Sequence, residues 1–138
     1  MPSFAATTSV AAPARHVWET LLHTEQWPAW DARLECVEGE LAANGRLTLQ
    51  VRDVSRPFRL RVTTWEPGRR VVLASGMPLG LFTGTRTYQM TPDSDQTTTF
   101  AMSEQYTGPL AAVIGKTIPD LQPSFDAFVS GLRAAAEQ

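Results

Sequence analysis

Arg86 and Glu104 are the residues whose types and spacing best suit them for chemistry in this 138-residue chain. They fall in two runs, Phe82 to Met90 and Thr97 to Tyr106, separated by the polar link Pro92-Asp93-Ser94-Asp95-Gln96. Both runs alternate apolar and polar residues, the signature of strands, and a short polar link folds two strands into an antiparallel pair. One face of the first strand carries Phe82, Gly84, Arg86, Tyr88 and Met90; one face of the second carries Phe100, Met102, Glu104 and Tyr106. Both faces are largely apolar and are expected to point inward. The register then sets Arg86 opposite Met102 or Glu104. Directly or diagonally opposed side chains have β-carbons about 5–8 Å apart, a gap that arginine and glutamate close. Burying an ion costs several kcal/mol even after relaxation, so an inward Arg86–Glu104 pair needs a partner, water or ligand. It either braces the fold or anchors a carbonyl or carboxylate in an apolar pocket. Without Arg86, desolvation would raise the Glu104 pKa and make it a general acid; paired, it stays ionised and acts by position.

Other candidates are few. Trp27, Trp30 and Asp31 lie in Trp27-Pro28-Ala29-Trp30-Asp31. The tryptophans are an aromatic wall for a flat ligand, or packing for a short helix; Asp31 is a rim carboxylate or the cap of a turn. Acid–base work needs a group within hydrogen-bond reach of substrate, and Glu104, Tyr88 and Asp31 are the catalytic candidates. His16 and His23 have no carboxylate or second histidine at metal-ligand spacing, and neither follows a serine or cysteine nucleophile motif, so no metal site and no hydrolytic triad is expected. Gly80 and Gly84 lack the context of a phosphate-binding loop. No cofactor is implied.

The net charge of −2 and the lack of a basic run argue against a nucleic-acid partner. No apolar run approaches the roughly 20 residues that span a bilayer, and no basic-then-apolar leader opens the chain. The single cysteine, Cys36, fits a reducing cytoplasm; its place in an alternating pattern makes it a small core residue. A homodimer is neither required nor forbidden.

These groups must be positioned by the elements around them. Ser3 to Ala11 reads as a first strand. Pro13 opens a helix whose stripe is Val17, Trp18, Leu21 and Leu22, and Thr24 to Asp31 is a short helical turn or loop. Strands follow at Arg33–Leu41, Arg46–Asp53, Phe58–Trp65 and Val71–Ser75, with Asn44-Gly45 and Pro67-Gly68 as turns. Arg52, Arg59 and Arg61 oppose the apolar face and belong to a solvated surface, with Arg69 and Arg70 in the same loose basic set. Gly76 to Leu81 carries apolar residues, which suggests a flap with Met77 and Leu79 turned into the pocket. From Pro109 the period lengthens: Leu110, Ile114, Ile118, Leu121, Phe125, Phe128 and Leu132 mark an amphipathic helix covering the sheet. Pro119 and Pro123 kink or break it, leaving Pro123 to Ala136 well formed. With no repeats or linker, residues 1–138 are expected to form a single domain.

This order resembles the START/polyketide-cyclase (SRPBCC) superfamily. The resemblance spans nearly the whole chain. It rests on Val10-Ala11-Ala12-Pro13 leading to Val17-Trp18, on the Trp27–Asp31 stretch and on Trp65-Glu66-Pro67-Gly68-Arg69-Arg70-Val71. It rests also on Arg86-Thr87-Tyr88-Gln89-Met90, and on Thr98-Thr99-Phe100 followed by Glu104-Gln105-Tyr106-Thr107-Gly108. It implies an α+β helix-grip fold: a curved seven-stranded antiparallel sheet wrapped around a long C-terminal helix, with two short helices after strand 1. It implies a cavity between sheet and helix, of the kind that spans about 300–1,000 Å³ with few polar groups. The expected lining is Trp27, Trp30, Phe58, Leu60, Phe82, Arg86, Tyr88, Phe100, Met102, Glu104, Ile118 and Phe125. The first functional expectation is binding of a small hydrophobic molecule (lipid-, polyketide- or aromatic-like). The second is a cyclase, dehydratase or isomerase using Glu104, Tyr88 or Asp31. The third is an interaction module whose interior is filled.

Overall fold

The computed structural model describes residues 3–138. Strand β1 (Phe4–Val10) is followed by α1 (Ala14–Leu22), a 3-10 turn (Thr24–Gln26) and α2 (Trp27–Trp30). Five strands come next: β2 (Leu34–Gly39), β3 (Arg46–Val51), β4 (Phe58–Glu66), β5 (Arg70–Gly76) and β6 (Thr83–Pro92). Strand β7 (Thr98–Thr107), α3 (Ala111–Ile114), a 3-10 turn (Gly115–Thr117) and α4 (Gln122–Ala136) complete the chain. The strands form one antiparallel sheet in the order β1-β7-β6-β5-β4-β3-β2. This is the helix-grip arrangement that the family resemblance implies.

The inward face of the sheet buries Leu47, Leu49, Leu60, Val71, Leu73, Tyr88, Met90, Phe100 and Met102. Helix α4 lays Phe125, Phe128, Val129 and Leu132 over them. The helix is set close: a β-carbon on Gly131 would stand 2.0 Å from the Trp30 carbonyl oxygen, so only glycine allows α2 and α4 to meet there. The two prolines break the C-terminal helix rather than kink it. Ile118 is extended, as a residue before proline must be, and Pro123 sits in the first turn of α4, where its missing N–H costs little.

Two expectations fail for local reasons. Cys36 is exposed, not a core residue. A bulge between Leu34 and Cys36 shifts the register, pairing Cys36 with outward-facing Gln50 and breaking the alternation. Met77 and Leu79 do not cover a pocket. Both are exposed at the tip of the β5–β6 loop, because Gly76 and Gly80 take positive φ and turn the loop outward.

Candidate functional site

The β6–β7 register sets Arg86 directly opposite Glu104, the nearer of the two alternatives. The Arg86 Nε–H donates to Glu104 Oε1 at 3.0 Å, with both side chains buried. The Tyr106 hydroxyl donates to Glu104 Oε2 at 2.5 Å. Both carboxylate oxygens are thus committed, one to each neighbour. Phe82 stacks on the Tyr106 ring at 5.7 Å and Phe4 meets its edge at 6.4 Å, which hold the phenol in place. Burial disfavours the Arg86 cation, but Glu104 and then Tyr88 outweigh it and hold the guanidinium charged, above its usual value. The Arg86 guanidinium carbon lies 5.0 Å from the centre of the Phe125 ring, within cation–π range.

The pair leaves capacity unspent. Among the described residues, no acceptor bonds the two terminal nitrogens of Arg86; only Nε is engaged. The Tyr88 hydroxyl is buried against that guanidinium, close enough to feel its charge, but among the described residues it meets no partner in full hydrogen-bond geometry. Burial pushes the phenol up from its usual value and the Arg86 charge only partly opposes this, so it stays a neutral donor. A buried polar group without a partner costs about 1–3 kcal/mol.

Asp31, at the end of α2, is buried as well. Its Oδ1 accepts the Arg33 backbone N–H at 2.9 Å, so it caps the turn, one of the two roles open to it from sequence. Burial pushes its carboxyl up from the usual 3.8, against that hydrogen bond and the Arg33 charge. The charged form is therefore disfavoured in the folded protein. The stabilising contribution of the neutral acid is complete below about 3.8 and is lost as pH rises through the folded value. Asp31→Asn keeps the oxygen that caps Arg33 and is expected to be more stable than wild type at pH 7. That gain should shrink on acidification and vanish below pH 3.8 in urea denaturation read at several pH values. A gain that does not change with pH would show that Asp31 is not strained by charge.

Arg86, Tyr88 and Asp31 border one partly open pocket, lined also by Trp27, Leu34, Leu49, Val51, Phe58, Met102, Leu121, Ser124, Phe125 and Phe128. Of the expected lining, Trp27, Phe58, Arg86, Tyr88, Met102 and Phe125 meet there, joined by Asp31. Glu104 stands behind Arg86. Leu60 and Phe100 are core residues away from the opening, Ile118 packs on the core's edge, and Trp30 backs the wall through Phe128 at 5.0 Å. Phe82 sits with Tyr106, away from the lining. Leu34, Leu49, Val51, Leu121, Ser124 and Phe128 complete the wall. All except Leu34 and Ser124 could be read as inward from periodicity, but not as neighbours of Arg86. The space is about 30 Å³, enough for one or two water molecules rather than the several hundred expected. Two floor residues, Tyr88 and Phe128, are 5.4 Å apart, and Trp27 closes on Phe128 at 4.9 Å.

Among the described residues, no group of histidine, cysteine and carboxylate side chains could hold a metal ion. No helix among them is long and apolar enough to cross a membrane.

A family model described as polyketide cyclase / dehydrase and lipid transport matches residues 1–137. No curated protein matches in sequence. Among solved structures, the chain is similar to the Zhui aromatase/cyclase from Streptomyces sp. R1128, with TM-score 0.72 and 19% identity, covering 99% of this chain and 93% of that one. It is equally similar to a protein of Thermus thermophilus, with TM-score 0.72 and 19% identity over 98% and 97% of the two chains. Norcoclaurine synthase from Thalictrum flavum, in complex with dopamine and hydroxybenzaldehyde, aligns with TM-score 0.68 and 13% identity over 97% and 85%. At these identities the likeness is one of fold.

Proposed function

Because the chain belongs to the polyketide cyclase/dehydrase and lipid transport family, we propose that it binds a small hydrophobic molecule bearing a carbonyl or hydroxyl oxygen, between the sheet and α4. The observation that carries this reading is the buried Tyr88 hydroxyl without a partner, beside the unspent nitrogens of Arg86. An oxygen placed there would satisfy groups the protein leaves unsatisfied, within walls that offer apolar contact to the rest of the molecule. The chain must open to admit it. The stretch through α3 and the following 3-10 turn is the part to yield, since α3 packs chiefly on that turn and carries exposed Val113.

A second reading, a cyclase or dehydratase, is favoured by Asp31. Its carboxyl is pushed up by burial and borders the same cavity as Tyr88 and Arg86. A carboxyl so shifted suits proton transfer to or from a bound substrate, with Tyr88 and Arg86 stabilising developing negative charge on oxygen. Asp31 is the better acid–base candidate, because Tyr106 and Arg86 already occupy both oxygens of Glu104.

Tyr88→Phe tests the anchor. Deleting an unpartnered hydroxyl should leave stability unchanged or raise it by about 1–3 kcal/mol. Wild type should bind 2-naphthol about 5–10-fold more tightly than naphthalene, the worth of one hydrogen bond. The variant should lose most of that preference. Equal affinities for the two compounds in wild type would remove the proposed anchor.

A further inference from the structure

We propose that the β5–β6 loop and α3 form a docking tip for an anionic lipid surface. Among the described residues, the large apolar side chains left exposed are Met77, Leu79, Leu81 and Val113. Three belong to one loop. The fourth is carried beside it, because the Leu110 N–H donates to the Leu81 carbonyl at 2.9 Å and Gly108 packs against the Gly80 and Leu81 carbonyls. Leu79 is 96% exposed and holds φ at 63°. A left-handed backbone at a residue other than glycine is strained, and Leu79 recovers none of that cost by burial. Such strain with such exposure points to a contact outside the chain.

The charge beside the tip selects the occupant. A groove of about 590 Å³ at the foot of the loop is walled by Arg56, Arg59, Phe58, Gly76 and Phe82 among others, with two arginines and no carboxylate. Neither arginine belongs to an ion pair among the described residues. Lys116 is exposed just beyond α3, and Asp53 is the one acidic residue on the β3–β4 loop. Three side chains on a protruding loop and one beside it fall well short of the roughly 800 Å² per partner that a stable protein interface buries. They suit a bilayer instead, where apolar side chains enter the headgroup boundary while nearby basic residues meet anionic lipids. Phe58 borders both this groove and the inner cavity, so the tip stands at the side from which a lipid-soluble molecule would enter. Docking itself does not depend on the cavity holding a ligand.

The test is co-sedimentation of the full chain with phosphatidylcholine vesicles, with and without phosphatidylserine. The bound fraction should rise with phosphatidylserine and fall with salt. Leu79→Gly suits the positive φ and so keeps the fold, yet should weaken partitioning about tenfold. Arg59→Gln should reduce only the phosphatidylserine-dependent part. Wild type that fails to sediment with either vesicle, or Leu79→Gly that sediments like wild type, would overturn the proposal. So would a concentration-dependent dimer abolished by Leu79→Gly, which would assign the tip to a second copy of the chain.

Discussion

Replacing Glu104 with leucine is expected to destabilise the protein by about 3–5 kcal/mol, because it strands the Arg86 guanidinium in the interior without its counter-charge. Arg86 is held by one hydrogen bond to Glu104 and by the face of Phe125, and among the described residues it meets no second carboxylate. Water cannot easily take over, since the neighbouring space holds only one or two molecules. Removing both charges should behave differently. A buried ion pair replaced by apolar residues of similar volume is often neutral or stabilising, so Arg86→Met with Glu104→Leu should recover most of the loss. Urea denaturation of the two single variants and the double variant gives the coupling directly. The same double variant should lose the preference for 2-naphthol over naphthalene while remaining folded. A stable double variant that keeps the preference would assign the pair to structure alone. If Glu104→Leu costs under about 1 kcal/mol, the pair is not buried as described.

Phe128→Ala should cost a similar amount, about 3–5 kcal/mol. Phe128 is the hub where α4 meets α2 and the sheet: its ring lies 4.9 Å from Trp27, 5.0 Å from Trp30, 5.4 Å from Tyr88 and 6.3 Å from Phe100. Truncation removes the transfer energy of the ring and leaves a hole that the rigid tryptophans cannot fill. The hole joins the existing cavity, so the variant should also admit 2-naphthol more readily than wild type once its lower stability is accounted for. A midpoint shift in urea with an unchanged slope would identify the change as one of stability. A loss below about 1 kcal/mol would mean that the interior collapses around the deletion, and that the aromatic cluster does not set the cavity's size.

Much of this molecule could be read from its residues, and the limits have physical causes. Strand-favouring composition for β1 and strand patterning with turn signals for the rest located the seven strands, each to within about two residues, and the shift to a helical period located α4. The Arg86–Glu104 pair was readable because it lies within one hairpin, where a five-residue link nearly fixes the register. Tyr88 was recognised as inward-facing, but its lack of a partner depends on the placement of every neighbour. The cavity lining was harder. Alternation tells which side of a strand is dry, but not where along the strand the helix crosses. Leu49, Val51 and Phe128 therefore border the space while Leu60 and Phe100 do not. Cys36 was misplaced by a single bulge, which inverts the facing of the residues after it in β2. Met77 and Leu79 were misplaced because apolar type was taken to mean burial, and the positive φ of Gly76 and Gly80 turns them outward.

A crystal structure of the protein with 2-naphthol tests the central claim most directly. The account predicts the naphthol ring among Trp27, Phe125 and Phe128, with its oxygen within hydrogen-bond distance of Tyr88 Oη or a terminal nitrogen of Arg86. A ring bound outside this interior, or an oxygen turned away from both groups, would contradict it.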